Sequence, residues 1–283
     1  MQPQGAAPFS RRNGGPKPGS ARGAEGSKAM GQFDLQGALA VVIGASQGIG
    51  QGLAVAFAKA GADVVIASRT LERLKETHHL AAAAGTRIMS EAVDVASPEG
   101  IQRFAATVLN RGTVPTVLVN SASLGSHKNV FTVTPDDWNT MHDVHLRGTF
   151  FSCQAFGRAM ETKKYGKIIN LSSIWAATTS PNRAVYGAAK AGVSHLTAAL
   201  GVEWAPLGIR VNALAPAATR TPTIARRMKE QPQLEETLRR GIPLGRIAET
   251  DDMIGPALFL ACPASDFVTG QTLFVDGGWQ YSK

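Results

Sequence analysis

The chain has 283 residues, 44% of them hydrophobic and 18% charged, with a formal net charge of +8. That balance excludes a disordered or fibrous chain, and the absence of any uncharged apolar run of about 18 residues excludes a membrane-spanning helix. Cys153 and Cys262 stand alone, fit neither a metal-ligand spacing nor a disulfide framework, and suit a reducing cytosol.

Residues 1–31 are rich in Gly, Pro, Ser and Arg and have almost no bulky apolar side chains. Such a segment cannot bury enough surface to offset its ordering entropy, so it is expected to be a disordered basic tail. It carries five Lys or Arg and one Glu, half of the net charge. It lacks the apolar core of a signal peptide. Its arginines would suit a transit peptide, but its Gly and Pro oppose an amphipathic helix, so a cytoplasmic protein is expected. The remainder, 32–283, is expected to form one α/β domain. Its mild positive excess reads as a solvated surface and not as a nucleic-acid stripe.

In chain order, short apolar runs alternate with helical patterns. "LAVVIGA" (39–45) is followed by "IGASQGIG", which turns the chain into a helix. "DVVIAS" (63–68), the weaker "RIMSEAVDV" (87–95) and "TVLVNSA" (116–122) come next. "TPDDWNTM" then opens a helix, with Thr134 as N-cap, Pro135 in the first turn and two aspartates facing the dipole. "KIINLSS" (167–173), "RVNALAP" (210–216) and "TLFVDGG" (272–278) complete the set. Strands this apolar are buried on both faces, which requires helices above and below. The pattern predicts an α/β fold, a doubly wound parallel sheet of about seven strands with helices on both faces.

Gly44, Gly48 and Gly50 have the spacing G-x-x-x-G-x-G between the first strand and the first helix. Glycines there permit a tight turn and let a pyrophosphate approach the helix N-terminus, with Ser46, Gln47 and Ile49 in the same turn. Where an acid would meet the ribose hydroxyls, this chain has Ser68 and Arg69. A guanidinium beside a hydroxyl suits a 2′-phosphate, which points to NADP(H) with NAD as the lesser option. Asp94, with Val95, is placed to meet the adenine. Asn120 and Ala122 end the fourth strand, where the ligand crevice of such sheets lies.

Tyr186 and Lys190 are one helical turn apart on one face. Alone, that spacing decides nothing. Ser173, at the end of the fifth strand, borders the same crevice. With these motifs, Pro216 and Thr221 in "P-x-x-x-x-T", and "VDGG" (275–278), residues 33–279 resemble the short-chain dehydrogenase/reductase family, and so a Rossmann fold. The resemblance implies that Ser173 orients a substrate carbonyl or hydroxyl, that Tyr186 exchanges its proton with that oxygen, and that Lys190 holds the nicotinamide ribose and lowers the phenol pKa. It adds Pro216, Thr219 and Thr221 to the cofactor contacts and a homo-oligomer, dimer or tetramer, as the assembly.

Two departures stand out. Asn120-Ser121-Ala122-Ser123 replaces the usual N-N-A-G, and His145 replaces an asparagine that is the family's fourth catalytic residue. A metal-ligand role for His142 and His145 at i,i+3 lacks a second pair of ligands, so no metal is expected. His78 and His79 read as solvated, and Phe150, Phe151 and Phe156 as core or subunit contacts. Arg220, Arg226 and Arg227, within the expected substrate lid (217–247), face either solvent or an anionic substrate. The expected activity is an oxidoreductase acting on a small-molecule ketone or alcohol, with a 3-oxoacyl thioester or keto-sugar acid as substrate. The rival is an NADP(H)-binding scaffold that has lost catalysis.

Overall fold

The structure, a computed structural model, describes residues 33–125 and 127–282. The stretch 1–31 lies outside the described residues. Seven parallel strands form one sheet in the order β3-β2-β1-β4-β5-β6-β7. They are β1 (Leu39–Ile43), β2 (Asp63–Ser68), β3 (Ile88–Ala92), β4 (Val117–Asn120), β5 (Gly166–Leu171), β6 (Ile209–Pro216) and β7 (Thr272–Val275). The order reverses between β1 and β4, so a crevice opens at the carboxyl ends of these two strands.

Every residue of β1 is buried, and its side chains alternate between two cores. Ala40 and Val42 pack with α1 (Gly48–Lys59), α2 (Lys75–Ala82) and α9 (Ile254–Ala261), through Leu53, Phe57, Ala81 and Leu260. Leu39, Val41 and Ile43 pack with α3 (Pro98–Leu109), α5 (Gly148–Lys163) and α6 (Ala184–Trp204), through Ile101, Phe104, Phe156 and Leu200. Each fully buried aliphatic side chain contributes roughly 1.5–3 kcal/mol of burial free energy.

The elements differ from the sequence reading chiefly at their ends. β3 is an edge strand that stops at Ala92, so Asp94 lies beyond it, its Oδ1 accepting from the Ala96 N–H at 3.0 Å. β5 stops at Leu171, and Ser173 caps the short 3₁₀ turn Ile174–Ala176 instead of closing the strand. His78 is half-buried: its Nδ1 lies 2.9 Å from Ser90 Oγ and ties α2 to β3. Thr134 caps α4 (Pro135–His142) in a capping box with Asp137. Phe156 is core, whereas Phe150 is exposed.

Between α4 and α5 the chain makes a π-helical turn, Asp143–Arg147, which no local propensity signals. The expected lid holds α7 (Pro222–Glu230) and α8 (Gln233–Arg240). Ile242 and Trp279 pack there with Ile174, against which Trp175 and Leu238 lean. No described helix is long and apolar enough to cross a membrane.

Candidate functional site

Gly44 turns the chain out of β1 with φ +88°, and a Cβ there would lie 2.4 Å from the Ala122 nitrogen. A Cβ on Gly50 would lie 2.3 Å from the Gly44 carbonyl oxygen. Both positions therefore require glycine, and both shape one cradle. Gln47 precedes α1 without a side-chain cap bond, and the first turn holds no acid, so its backbone N–H groups and dipole suit an anion. Ser46 is half-buried beside them and Ile49 packs on the core. Thr221, the N-cap of α7, brings its side chain next to Gly48, with Thr219 buried close by and Pro216 ending β6. These residues fit a pyrophosphate.

At the end of β2, Ser68 is buried and its hydroxyl donates to the Thr70 carbonyl at 2.9 Å, while Arg69 is exposed. Val95 is buried and exposed Asp94 is next to it. Asn120 serves the core more than the crevice. Its Nδ2 donates to Asn170 Oδ1 at 2.9 Å, and Asn170 in turn donates to Thr197 Oγ1 at 3.0 Å.

Ser173, Tyr186 and Lys190 meet, although β5 and α6 bring them from different segments. The Ser173 and Ser123 side chains face the Tyr186 hydroxyl. Lys190 Nζ lies 5.8 Å from the centre of the Tyr186 ring and donates to the Leu171 carbonyl at 2.6 Å. Burial raises the phenol pKa, opposed by the Ser173 side chain, the Arg183 guanidinium and the Ser123 side chain. Burial also pushes the Lys190 ammonium down to about 7. The sequence reading gave Lys190 the task of lowering the phenol pKa; here the neighbouring guanidinium of Arg183 acts in that direction.

His145 lies in the π turn, with Nε2 2.9 Å from the Leu124 carbonyl oxygen. Burial, then the Lys190 charge, holds its pKa well below the usual value, so the ring is neutral. Its own carbonyl accepts from Thr149 Oγ1 at 2.6 Å, which uses one of its two lone pairs. His142 instead bonds the Trp138 carbonyl and stacks on the Trp138 ring. Among the described residues no group of three or more His, Cys, Asp or Glu converges as metal ligands.

Arg183 and His127 escaped the sequence reading, whereas Ser123 entered it as a departure from the family pattern. Ser123 replaces the family glycine and reaches the phenol. Arg183, just before α6, places its guanidinium carbon 5.8 Å from the Tyr186 ring centre and 5.1 Å from that of Trp175. His127 meets Arg227 of α7. No motif announces them, because each comes from a separate loop. Arg220, by contrast, is engaged by Glu235 at 2.8 Å and Glu249 at 3.0 Å, and Arg226 is exposed.

Residues 44–280 match the family model described as enoyl-(acyl carrier protein) reductase. The chain is 37% identical over 247 residues to 2-dehydro-3-deoxy-D-gluconate 5-dehydrogenase of Bacillus subtilis (strain 168), covering 87% of this chain and 96% of that one. It is 38% identical over 252 residues to galactitol 2-dehydrogenase (L-tagatose-forming) of Cereibacter sphaeroides, with the same coverage. Its structure is similar to the crystal structure of a gluconate 5-dehydrogenase from Burkholderia cenocepacia J2315 in complex with NADP and tartrate. That similarity has a TM-score of 0.85 at 34% identity and covers 90% of this chain and 100% of the other.

Proposed function

Because the chain belongs to the short-chain dehydrogenase/reductase family and is an oxidoreductase of CH–OH groups, we propose that it uses NADP(H) to interconvert a secondary alcohol and a ketone at Ser173, Tyr186 and Lys190. The substrate is of the keto-sugar acid or 3-oxoacyl thioester class. The observation that carries this reading is the convergence of Lys190 Nζ, 5.8 Å from the Tyr186 ring centre, and the Ser173 side chain on the buried Tyr186 phenol.

Gly44, Ser46, Gln47, Gly48, Ile49 and Gly50 would hold the pyrophosphate, and Ser68 with Arg69 the 2′-phosphate. Asp94, Val95, Asn120, Ala122, Pro216, Thr219 and Thr221 would line the rest of the nucleotide. When bound, the nucleotide supplies the hydride acceptor or donor. Ser173 holds the substrate oxygen. Tyr186 donates its proton to that oxygen in reduction, a direction suited by a phenol that burial keeps protonated. In oxidation it must accept the proton, and the positive charge of Arg183 then favours its anionic form.

Exposed Phe150 of α5 and Val202 of α6 suit a homo-oligomer. The buried free thiols of Cys153 and Cys262 suit a reducing compartment such as the cytoplasm. The test is NADPH absorbance with keto-sugar acids, 3-oxoacyl thioesters and diketones. Tyr186→Phe should cut kcat at least about a hundredfold with nucleotide affinity unchanged. Near-normal turnover in that variant would remove Tyr186 from the mechanism.

A further inference from the structure

The Tyr186 ring is one end of a stack of side chains drawn from three separate segments. The Arg183 guanidinium carbon lies 5.8 Å from the centre of that ring and 5.1 Å from the centre of Trp175. Both distances are within reach of a cation–π contact, so one cation is shared between two aromatic side chains. Trp175 in turn meets Trp279 edge-on, with centroids 6.0 Å apart and planes at 75°. Trp279 is buried, in the 3₁₀ turn Trp279–Tyr281 that follows β7.

Both tryptophans are held in place. A Cβ on Gly187 would lie 3.0 Å from the Trp175 carbonyl oxygen, so the backbone there packs against the first turn of α6. A Cβ on Gly241, just past α8, would lie 2.5 Å from Trp279 Cη2, so no larger residue fits at 241 without displacing the indole. Ile174 and Ile242 share one small core with Trp279. The Asp276 carboxylate accepts from the Gly278 N–H at 3.0 Å and from the Gln280 N–H at 2.8 Å, which fixes the turn that carries the indole. An arginine side chain has many rotamers to lose. Two aromatic partners select the one that puts the charge against the phenol.

That position matters because of what else faces the ring. Burial brings Lys190 down to about 7, so above that pH its amine is mostly neutral. The His145 ring, edge-on to Tyr186 at 5.4 Å, is neutral as well, because burial and then the Lys190 charge hold its pKa down. Ser173 and Ser123 carry no charge. Arg183 is lowered by burial to about 10, against the opposing pull of Tyr186, and so stays charged through the neutral and mildly alkaline range. Arg227 acts against that charge, and His127, brought to about 4 by desolvation and both guanidiniums, adds none.

Resting on the role proposed above for Tyr186, we infer that Arg183 is a positioning residue for the phenol proton and that Trp175 and Trp279 hold it there. The carboxyl end of the chain, seated against Gly241 and Ile242, thereby sets how readily the phenol becomes a base.

The test is an alkaline titration of nucleotide-free full chain carrying 13Cζ-tyrosine, followed by NMR. Tyr186→Phe identifies the signal among the three tyrosines. Arg183→Met should raise the Tyr186 midpoint by about half a unit or more, and Arg183→Lys should recover most of that shift. Trp175→Leu and Trp279→Leu should raise it in the same direction with Arg183 still present. Trp279→Phe, which keeps an aromatic edge, should stay near the natural midpoint. Lys229→Met, at an exposed position of α7, should leave it unchanged. An unmoved midpoint in Arg183→Met would overturn the role of Arg183. Unmoved midpoints in both tryptophan-to-leucine proteins would overturn the support. Circular dichroism verifies the fold of each variant, and half-buried Trp175 carries the test should Trp279→Leu not fold. Shifted midpoints in a protein that turns over no ketone or alcohol would refute the oxidoreductase reading at Tyr186 and leave the stack standing. Turnover with unshifted midpoints would do the reverse.

Discussion

The His145 imidazole stands edge-on to the Tyr186 ring, with centroids 5.4 Å apart and planes at 90°. It is 1% exposed, and its Nε2 bridges to the Leu124 main chain across 21 residues. Its position is therefore fixed by a loop and by the phenol at once. A side-chain amide can donate and accept in the same place. His145→Asn should keep activity within about tenfold of the natural protein, a change near 1.4 kcal/mol in barrier. His145→Ala should lose more activity and about 1–3 kcal/mol of stability, because the Leu124 carbonyl loses its partner. A loss beyond about a hundredfold in a well-folded Asn variant would show that the imidazole takes part in proton transfer.

Ser123 faces the Tyr186 hydroxyl and acts to hold its pKa below what burial alone would set. Ser123→Ala should therefore move the phenol pKa upward. In the oxidation direction, where phenolate is the base, the rise of kcat/KM with pH should shift alkaline by about half a unit or more. An unchanged profile would show that this contact does not persist during turnover.

Arg69 is exposed at the end of β2, and Ser68 beside it is engaged with Thr70. Pairing with a 2′-phosphate should favour NADP(H) over NAD(H) by about tenfold or more, the weight of one charge-assisted bond. Arg69→Asp should shift the preference towards NAD(H). Equal kcat/KM for the two nucleotides in the natural protein would contradict the pairing.

Lys190 makes stability depend on pH. Its pKa falls from 10.5 in the unfolded chain to about 7 in the folded one. Between these values the unfolded chain binds a proton that the folded chain has released, so the free energy of unfolding rises with pH. The destabilisation is full below pH 7 and is relieved as pH climbs towards 10, by up to roughly 5 kcal/mol. In urea titrations of nucleotide-free protein, Lys190→Met should flatten this rise between pH 7 and 9. Equal slopes for both proteins would show that the ammonium is not desolvated as the fold implies.

The sequence by itself determined the alternation of strand and helix, the glycine turn after β1, and the shared helix face of Tyr186 and Lys190. All three are local: side-chain period, backbone freedom at Gly44 and i,i+4 spacing are properties of a few consecutive residues. It expected Ser173 near Tyr186 because the carboxyl ends of parallel strands share one edge, although β5 stops at Leu171. Only the tertiary structure decided what surrounds the phenol. Ser123 follows β4, Arg183 precedes α6 and His145 lies in the π turn; no periodicity links them. The pKa values of Tyr186, Lys190 and His145 were equally hidden, because burial is their largest cause and burial belongs to the packed molecule. Arg220 shows the same limit from the other side: it is neutralised by Glu235 and Glu249, which only folding brings to it.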